Sequence, residues 1–109
     1  MAIKIIQKIQ IFDDLKYNTE NARVLAYTEH EDDPTGPQDR ILFQGQNGRY
    51  FQSYQKPEFY KHGDNSAKLY PLNKEEAIRT YKGMAVHERF KISENESTDI
   101  FDFDEVIKA

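Results

Sequence analysis

Asn47-Gly48, set between two runs rich in bulky residues at 40–46 and 49–55, constrains this chain more than any other feature of its sequence. An Asn-Gly pair supplies the two positive φ angles of a type I′ turn, the tight link whose twist matches that of antiparallel strands. A two-residue loop sets Gln46 opposite Arg49, and therefore Phe43 opposite Gln52 and Ile41 opposite Tyr54. Side chains alternate along a strand, so this register predicts one face made of Ile41, Phe43, Tyr50 and Tyr54, with Leu42 and Phe51 on the other.

Other elements follow around the hairpin. Ile3, Ile5, Ile9 and Ile11 alternate with polar residues and are β-branched, which predicts a strand, although Ile5, Ile6, Ile9 and Phe12 also fit a helical stripe. Asp13-Asp14 reads as a turn. Residues 22–29 are apolar and short; Thr19 offers a helix cap ahead of them, but Val24, Leu25 and Tyr27 suit a buried strand better. Residues 31–37 and 56–66 have loop composition, and an extended segment resumes at 68–72. Asn73 with Glu76 three positions on marks a helix start, where the cap side chain satisfies an orphan N–H. Ala77, Ile78, Tyr81 and Met84 or Ala85 form its apolar stripe, and Gly83 is a natural stop. Met84, Val86, Phe90 and Ile92 alternate like a last strand, with helix continuation as the other reading.

The fold class expected is α+β: a small antiparallel sheet with a central hairpin and one main helix, over 74–83, packed on one face through Ala77, Ile78 and Tyr81. The other face would expose tyrosines and basic residues. At 109 residues the chain has room for one such domain, here 1–92, followed by an acidic and flexible tail at 93–109. Its core must be modest, because only 38% of residues are hydrophobic; seven Tyr and seven Phe compensate through the large area each can bury.

With no cysteine, disulfides, thiolate metal sites and cysteine nucleophiles are excluded. The longest apolar run, residues 24–27, falls far short of the roughly 20 residues that span a bilayer. Charge interrupts the first eight residues too early for a secretory signal core, so the expectation is a cytoplasmic protein without membrane contact.

The net charge of -4 conceals a segregation: residues 24–39 sum to -5, residues 40–91 to +5 and residues 92–109 to -5. Nine of the fourteen aromatics lie in the basic centre. Cations interleaved with rings are what a single-stranded nucleic-acid platform needs, and Arg49, Tyr50, Tyr54, Lys56 and Lys61 would form it. The same alternation arises from any half-buried sheet whose rings fill a core, and a surplus of five charges is small for a nucleic-acid binder. The plainer reading is preferred.

The acidic blocks offer a different interface. Glu31, Asp32 and Asp33 in one, and Asp99, Asp102, Asp104 and Glu105 in the other, are candidate contacts for a protein with a basic surface. The terminal block interleaves its acids with Ile100, Phe101, Phe103, Val106 and Ile107, a composition able to order on a basic, apolar groove. It equally suits a solubilising tail or one that folds back on the basic centre.

Catalytic and metal constellations are weak. Residues 29–33 bring His30 together with four carboxylates, but the spacing fits neither a calcium loop nor a histidine pair for zinc, and a solvated loop explains it. His62-Gly63-Asp64 resembles a base beside an orienting acid, yet a turn accounts for it as well; His87 reads as a surface residue. Phosphate-cradling, dinucleotide and nucleophile-elbow motifs are absent. No cofactor and no enzymatic activity are expected; a small hydrolase or metal protein built on His62 or residues 29–33 is the remote alternative.

The order of several short motifs carries a resemblance. Lys16-Tyr17-Asn18-Thr19-Glu20-Asn21-Ala22 resembles the K-Y-D/N-T-x-x-A opening of a group of small proteins carried on plasmids, phages and conjugative elements of gut bacteria. Leu42-Phe43 and Gly48-Arg49-Tyr50-Phe51 stand where that group has an L-Y/F strand and a Gly-aromatic pair. Tyr70-Pro71-Leu72-Asn73-Lys74-Glu75-Glu76-Ala77 is similar to its I-P-L-S/T-x-E-E-A helix entry. The resemblance runs from residue 16 to about residue 82; where the group is Gly-rich after the hairpin, this chain has Gln55-Lys56-Pro57-Glu58-Phe59, and the acidic tail has no counterpart. The group has no established activity, so the resemblance implies genomic company. Small proteins of mobile elements often act by binding and blocking host machinery, restriction and CRISPR nucleases among it, and the resemblance implies this only by association. The expectation is therefore a protein-binding inhibitor acting through the acidic patches, with a nucleic-acid-binding accessory protein as the alternative.

Overall fold

In a computed structural model of the chain, which describes residues 5–31, 36–46, 48–56, 67–87 and 90–92, the hairpin around Gly48 is the centre of the fold. Strand β4 (Gln38–Gln44) and strand β5 (Tyr50–Gln55) run antiparallel, and the sheet extends by one strand beyond β5 and by two beyond β4. Strand β3 (Arg23–Glu31) pairs with β4, β6 (Lys68–Leu72) with β5, and the short β7 (Phe90–Ile92) with β3, all antiparallel. The five-stranded order is β6-β5-β4-β3-β7. Pro71 is tolerated because β6 is an edge strand, where the missing N–H breaks no inner ladder.

The register differs by one residue from the expectation. Phe43 faces Phe51, Leu42 faces Gln52, Ile41 faces Ser53 and Arg40 faces Tyr54. Gly45 N donates to Arg49 O at 2.8 Å and Gly48 N to Gly45 O at 3.0 Å, so three residues rather than two link the strands. Gly48 takes the left-handed position (φ 82°) that closes such a loop. One extra loop residue inverts the faces of one strand relative to the other. Phe51 therefore joins Ile41 and Phe43, while Tyr50 and Tyr54 join Leu42.

A two-residue turn with both φ positive does occur, at Asp13 (φ 49°) and Asp14 (φ 63°). It joins β1 (Ile9–Phe12) to β2 (Leu15–Asn18) in a separate two-stranded sheet, with Phe12 opposite Leu15. The N-terminal strand is thus shorter than its alternating pattern, and Ile3 lies outside the described residues. Thr19 caps no helix: it is buried, its hydroxyl accepting from Lys8 N (2.8 Å) and donating to Ile6 O (3.0 Å). Buried Gln55 accepts from Ile6 N at 2.9 Å, tying the N-terminal segment to β5.

Helix α1 (Lys74–Ala85) opens on the expected capping box: Asn73 Oδ1 accepts from Glu76 N at 2.7 Å and Glu76 Oε1 from Asn73 N at 2.9 Å. It runs through Gly83 and ends at Val86, because Met84 is fully buried and holds the last turn on the sheet. Among the described residues of the alternating segment 84–92, Phe90–Ile92 form a strand and Met84 and Ala85 belong to the helix.

The architecture is α+β, with both faces of the five-stranded sheet occupied. On one, Tyr17, Tyr27, Ile41, Phe43, Phe51, Ala67 and Leu69 form a core that Phe12 and Leu15 of the β1–β2 hairpin join. On the other, Leu25, Ala26 and Leu42 meet Ala77 and Met84 of the helix, with Tyr50, Leu72, Ile78, Tyr81 and Phe90 around them. A bulge at Leu25, between the pairs Val24–Phe43 and Ala26–Leu42, lets both Leu25 and Ala26 serve the helix side. The face opposite the helix is therefore a second core and not the exposed array of tyrosines and bases that the sequence led us to expect. Burying it gives so polar a chain a second layer of ring packing.

Candidate functional site: a ring row and an amide-lined cavity

The helix covers only part of its side of the sheet. Beyond it, cross-strand pairing sets Arg40 beside Tyr54, Tyr54 beside Lys68, and Gln52 beside Tyr70. Tyr54 and Tyr70 pack edge to face with centroids 5.6 Å apart, and Tyr70 is 45% exposed. The Arg40 guanidinium carbon lies 5.9 Å from the centroid of the Tyr54 ring. Gln52 buries its Oε1 in the same row with no hydrogen-bond partner.

At its other end the row closes on Glu31. Arg40 Nε donates to Glu31 Oε2 at 2.8 Å, both side chains being only 16% exposed. Thr28 Oγ1 donates to the same oxygen, and His87, just past the helix, sets Nε2 3.7 Å from Oε1. A carboxylate that accepts from Arg40 and Thr28, with the His87 ring close by, is an internal cross-link between β3 and β4 at the end of α1. Glu31, read from sequence as a partner contact, is thus engaged within the fold. Asp32, Asp33, Asp99, Asp102, Asp104 and Glu105 lie outside the described residues, as do Lys61 and His62.

The basic aromatic set is divided. Tyr50 packs beneath the helix, whereas Tyr54 belongs to the open row. Arg49 is exposed in the hairpin loop and Lys56 is half-buried after β5. Arg49, Tyr50 and Lys56 all have intramolecular partners. Arg40, Lys68 and Tyr70 were missed in sequence because only the observed register brings them beside Tyr54. Among the described residues, no three His, Asp or Glu side chains are grouped to hold a metal ion, and no helix is long and apolar enough to cross a membrane.

A second feature lies on the other face, where β2 meets the β4–β5 loop. There a cavity of 260 Å³ is rimmed by Lys16, Asn18, Asn21 and Gln46, with Gly45 in its wall and Tyr17 and Phe51 at its base. Tyr17 and Phe51 pack edge to face at 5.4 Å. Asn18 Oδ1 accepts from Glu20 N at 2.9 Å, which fixes the carboxamide and leaves its NH2 group as donor. Lys16, Asn18 and Asn21 belong to the seven-residue motif singled out in sequence, yet none is in the buried core. That was the available signal: polar residues in a motif whose core needs are met by Tyr17 and Thr19.

No family model, curated protein or solved structure matches the chain.

Proposed function

We propose that this chain is a protein-binding module that occupies a basic surface, of the kind by which mobile elements block host nucleases of the CRISPR or restriction type. The observation that carries the reading is the segregation of charge: residues 24–39 and 92–109 each sum to -5, against +5 for the centre between them. Strands β3 and β7 pair antiparallel, with Ile92 opposite Ala26, so the acidic blocks at 32–33 and 94–105 follow from opposite ends of that pair, and each is a separate contact for a basic surface. The basic centre meanwhile serves as scaffold: Arg40 is neutralised by Glu31, and Tyr50 packs under α1.

The test is affinity capture from a bacterial host lysate with the parent chain and with a variant carrying Asp99→Asn, Asp102→Asn and Asp104→Asn. The parent should retain a nucleic-acid-handling protein that duplex DNA displaces, and the variant should retain much less of it. Equal capture by both would sink the reading.

A second reading, a nucleic-acid-binding accessory protein, is favoured by one observation: Tyr70, Tyr54 and Lys68 share an open strip of sheet. Single-stranded oligonucleotides should then shift in a gel at low salt and release as salt rises. Absence of a complex at low salt removes it.

A further inference from the structure

We propose that the cavity between β2 and the β4–β5 loop is a binding site for a mononucleotide bearing adenine. This inference is independent of the protein-binding reading and rests on what the cavity wall offers. Three carboxamides, Asn18, Asn21 and Gln46, stand on its rim; Asn21 and Gln46 each pair a donor with an acceptor at fixed spacing, and Asn18 adds the NH2 donor that its bond from Glu20 N leaves over. That pairing complements the edge of adenine, where an amino group lies beside a ring nitrogen. Lys16 supplies the one cation among the described residues of the lining, a point charge suited to a single phosphate. Tyr17 and Phe51 make the apolar base, and Gly45 contributes no side chain, so a flat ring can approach the backbone. A volume of 260 Å³ falls just below the usual range of ligand pockets, so a mononucleotide would fill the cavity and reach out through its open mouth.

The local fold brings the three amide residues together and fixes the carboxamide of Asn18. Asn21 N donates to Asn18 O at 3.3 Å and Glu20 N to Asn18 Oδ1, so both asparagines sit on one hydrogen-bonded turn after β2. Gln46 comes from the three-residue loop, and a two-residue turn there would have carried it into the strand ladder. The extra loop residue that sets the sheet register also frees Gln46 for the cavity rim.

The experiment is titration of the full chain with adenosine monophosphate, adenosine and inorganic phosphate, followed by amide chemical shifts and calorimetry. Adenosine monophosphate should shift Lys16, Asn18, Asn21 and Gln46, with adenosine and phosphate each binding at least about tenfold more weakly. Lys16→Ala should weaken the nucleotide about tenfold and leave adenosine unchanged, whereas Asn21→Ala should weaken both. Both side chains are exposed, so neither change threatens folding, and melting curves would verify this. Lys68→Ala, on the opposite face, and the triple Asp-to-Asn variant should bind the nucleotide like the parent. Phosphate binding as tightly as the nucleotide, shifts confined to Tyr54 and Tyr70, or no shift at the cavity would each overturn the proposal.

Discussion

Phe43 and Phe51 lie directly opposite one another on β4 and β5, their rings stacked with centroids 4.8 Å apart and planes 13° from parallel. Both are fully buried, and Tyr17 meets the Phe51 edge from the β1–β2 hairpin. The pair thus links the central hairpin to the layer above it.

Phe51→Ala should cost about 3–5 kcal/mol, the usual penalty for deleting a buried ring. Tyr54→Ala, in the half-buried open row, should cost less. A double-mutant cycle with Phe43→Ala should return a coupling of about 0.5–1.5 kcal/mol for the stacked pair. Urea unfolding of the four proteins measures it, and zero coupling would contradict the register.

The Glu31–Arg40 bridge should act as a unit. Glu31→Ala removes the acceptor of Arg40 and Thr28 in a site that water reaches poorly, and should destabilise by about 2 kcal/mol. Adding Arg40→Ala should cost less than the sum of the two single changes, because the second removes a charge already left without its partner. Fully additive losses in urea would mean that the bridge contributes nothing.

Asp13 and Asp14 both hold positive φ, where side chains other than Gly pay a steric penalty. Replacing them by Asn and Gly, the residues this turn prefers, should stabilise the chain by about 1 kcal/mol and raise its Tm. A lowered Tm would mean that the aspartates make contacts beyond the turn.

Burial raises the pKa of Tyr81, which packs edge to face on Phe90 at 5.5 Å, above its ordinary value of 10.0. Between that value and the higher folded one, the native state keeps a proton that the unfolded chain gives up. The contribution is intact below pH 10.0 and is lost as pH rises through the folded pKa. Urea unfolding at about pH 8 and about pH 11 should show a smaller alkaline loss for Tyr81→Phe than for the parent. Equal losses would assign the alkaline sensitivity to other groups.

Local chemistry sufficed for the elements themselves. Asn73 and Glu76 capped the helix as their spacing predicts, since a capping box is closed within four residues. Asp13-Asp14 formed its turn, and the alternating runs at 40–44 and 50–55 formed strands. The hairpin register was not legible, because Asn-Gly serves a two-residue and a three-residue loop alike, and one residue decides which face each ring occupies. Gly83 failed as a stop for a related reason: burial of Met84 against the sheet outweighs the local preference of glycine for a helix end.

The candidate sites divide along the same line. Residue types and spacing determined the capped helix, the antiparallel strands and the segregation of charge, because each depends on neighbours within a few positions. Only tertiary structure decided that Glu31 belongs to Arg40, that Tyr54 meets Tyr70, and that Lys16, Asn21 and Gln46 surround one cavity. Those partners are up to 30 residues apart in the chain, and a contact over that separation depends on strand order and register, which no local pattern encodes.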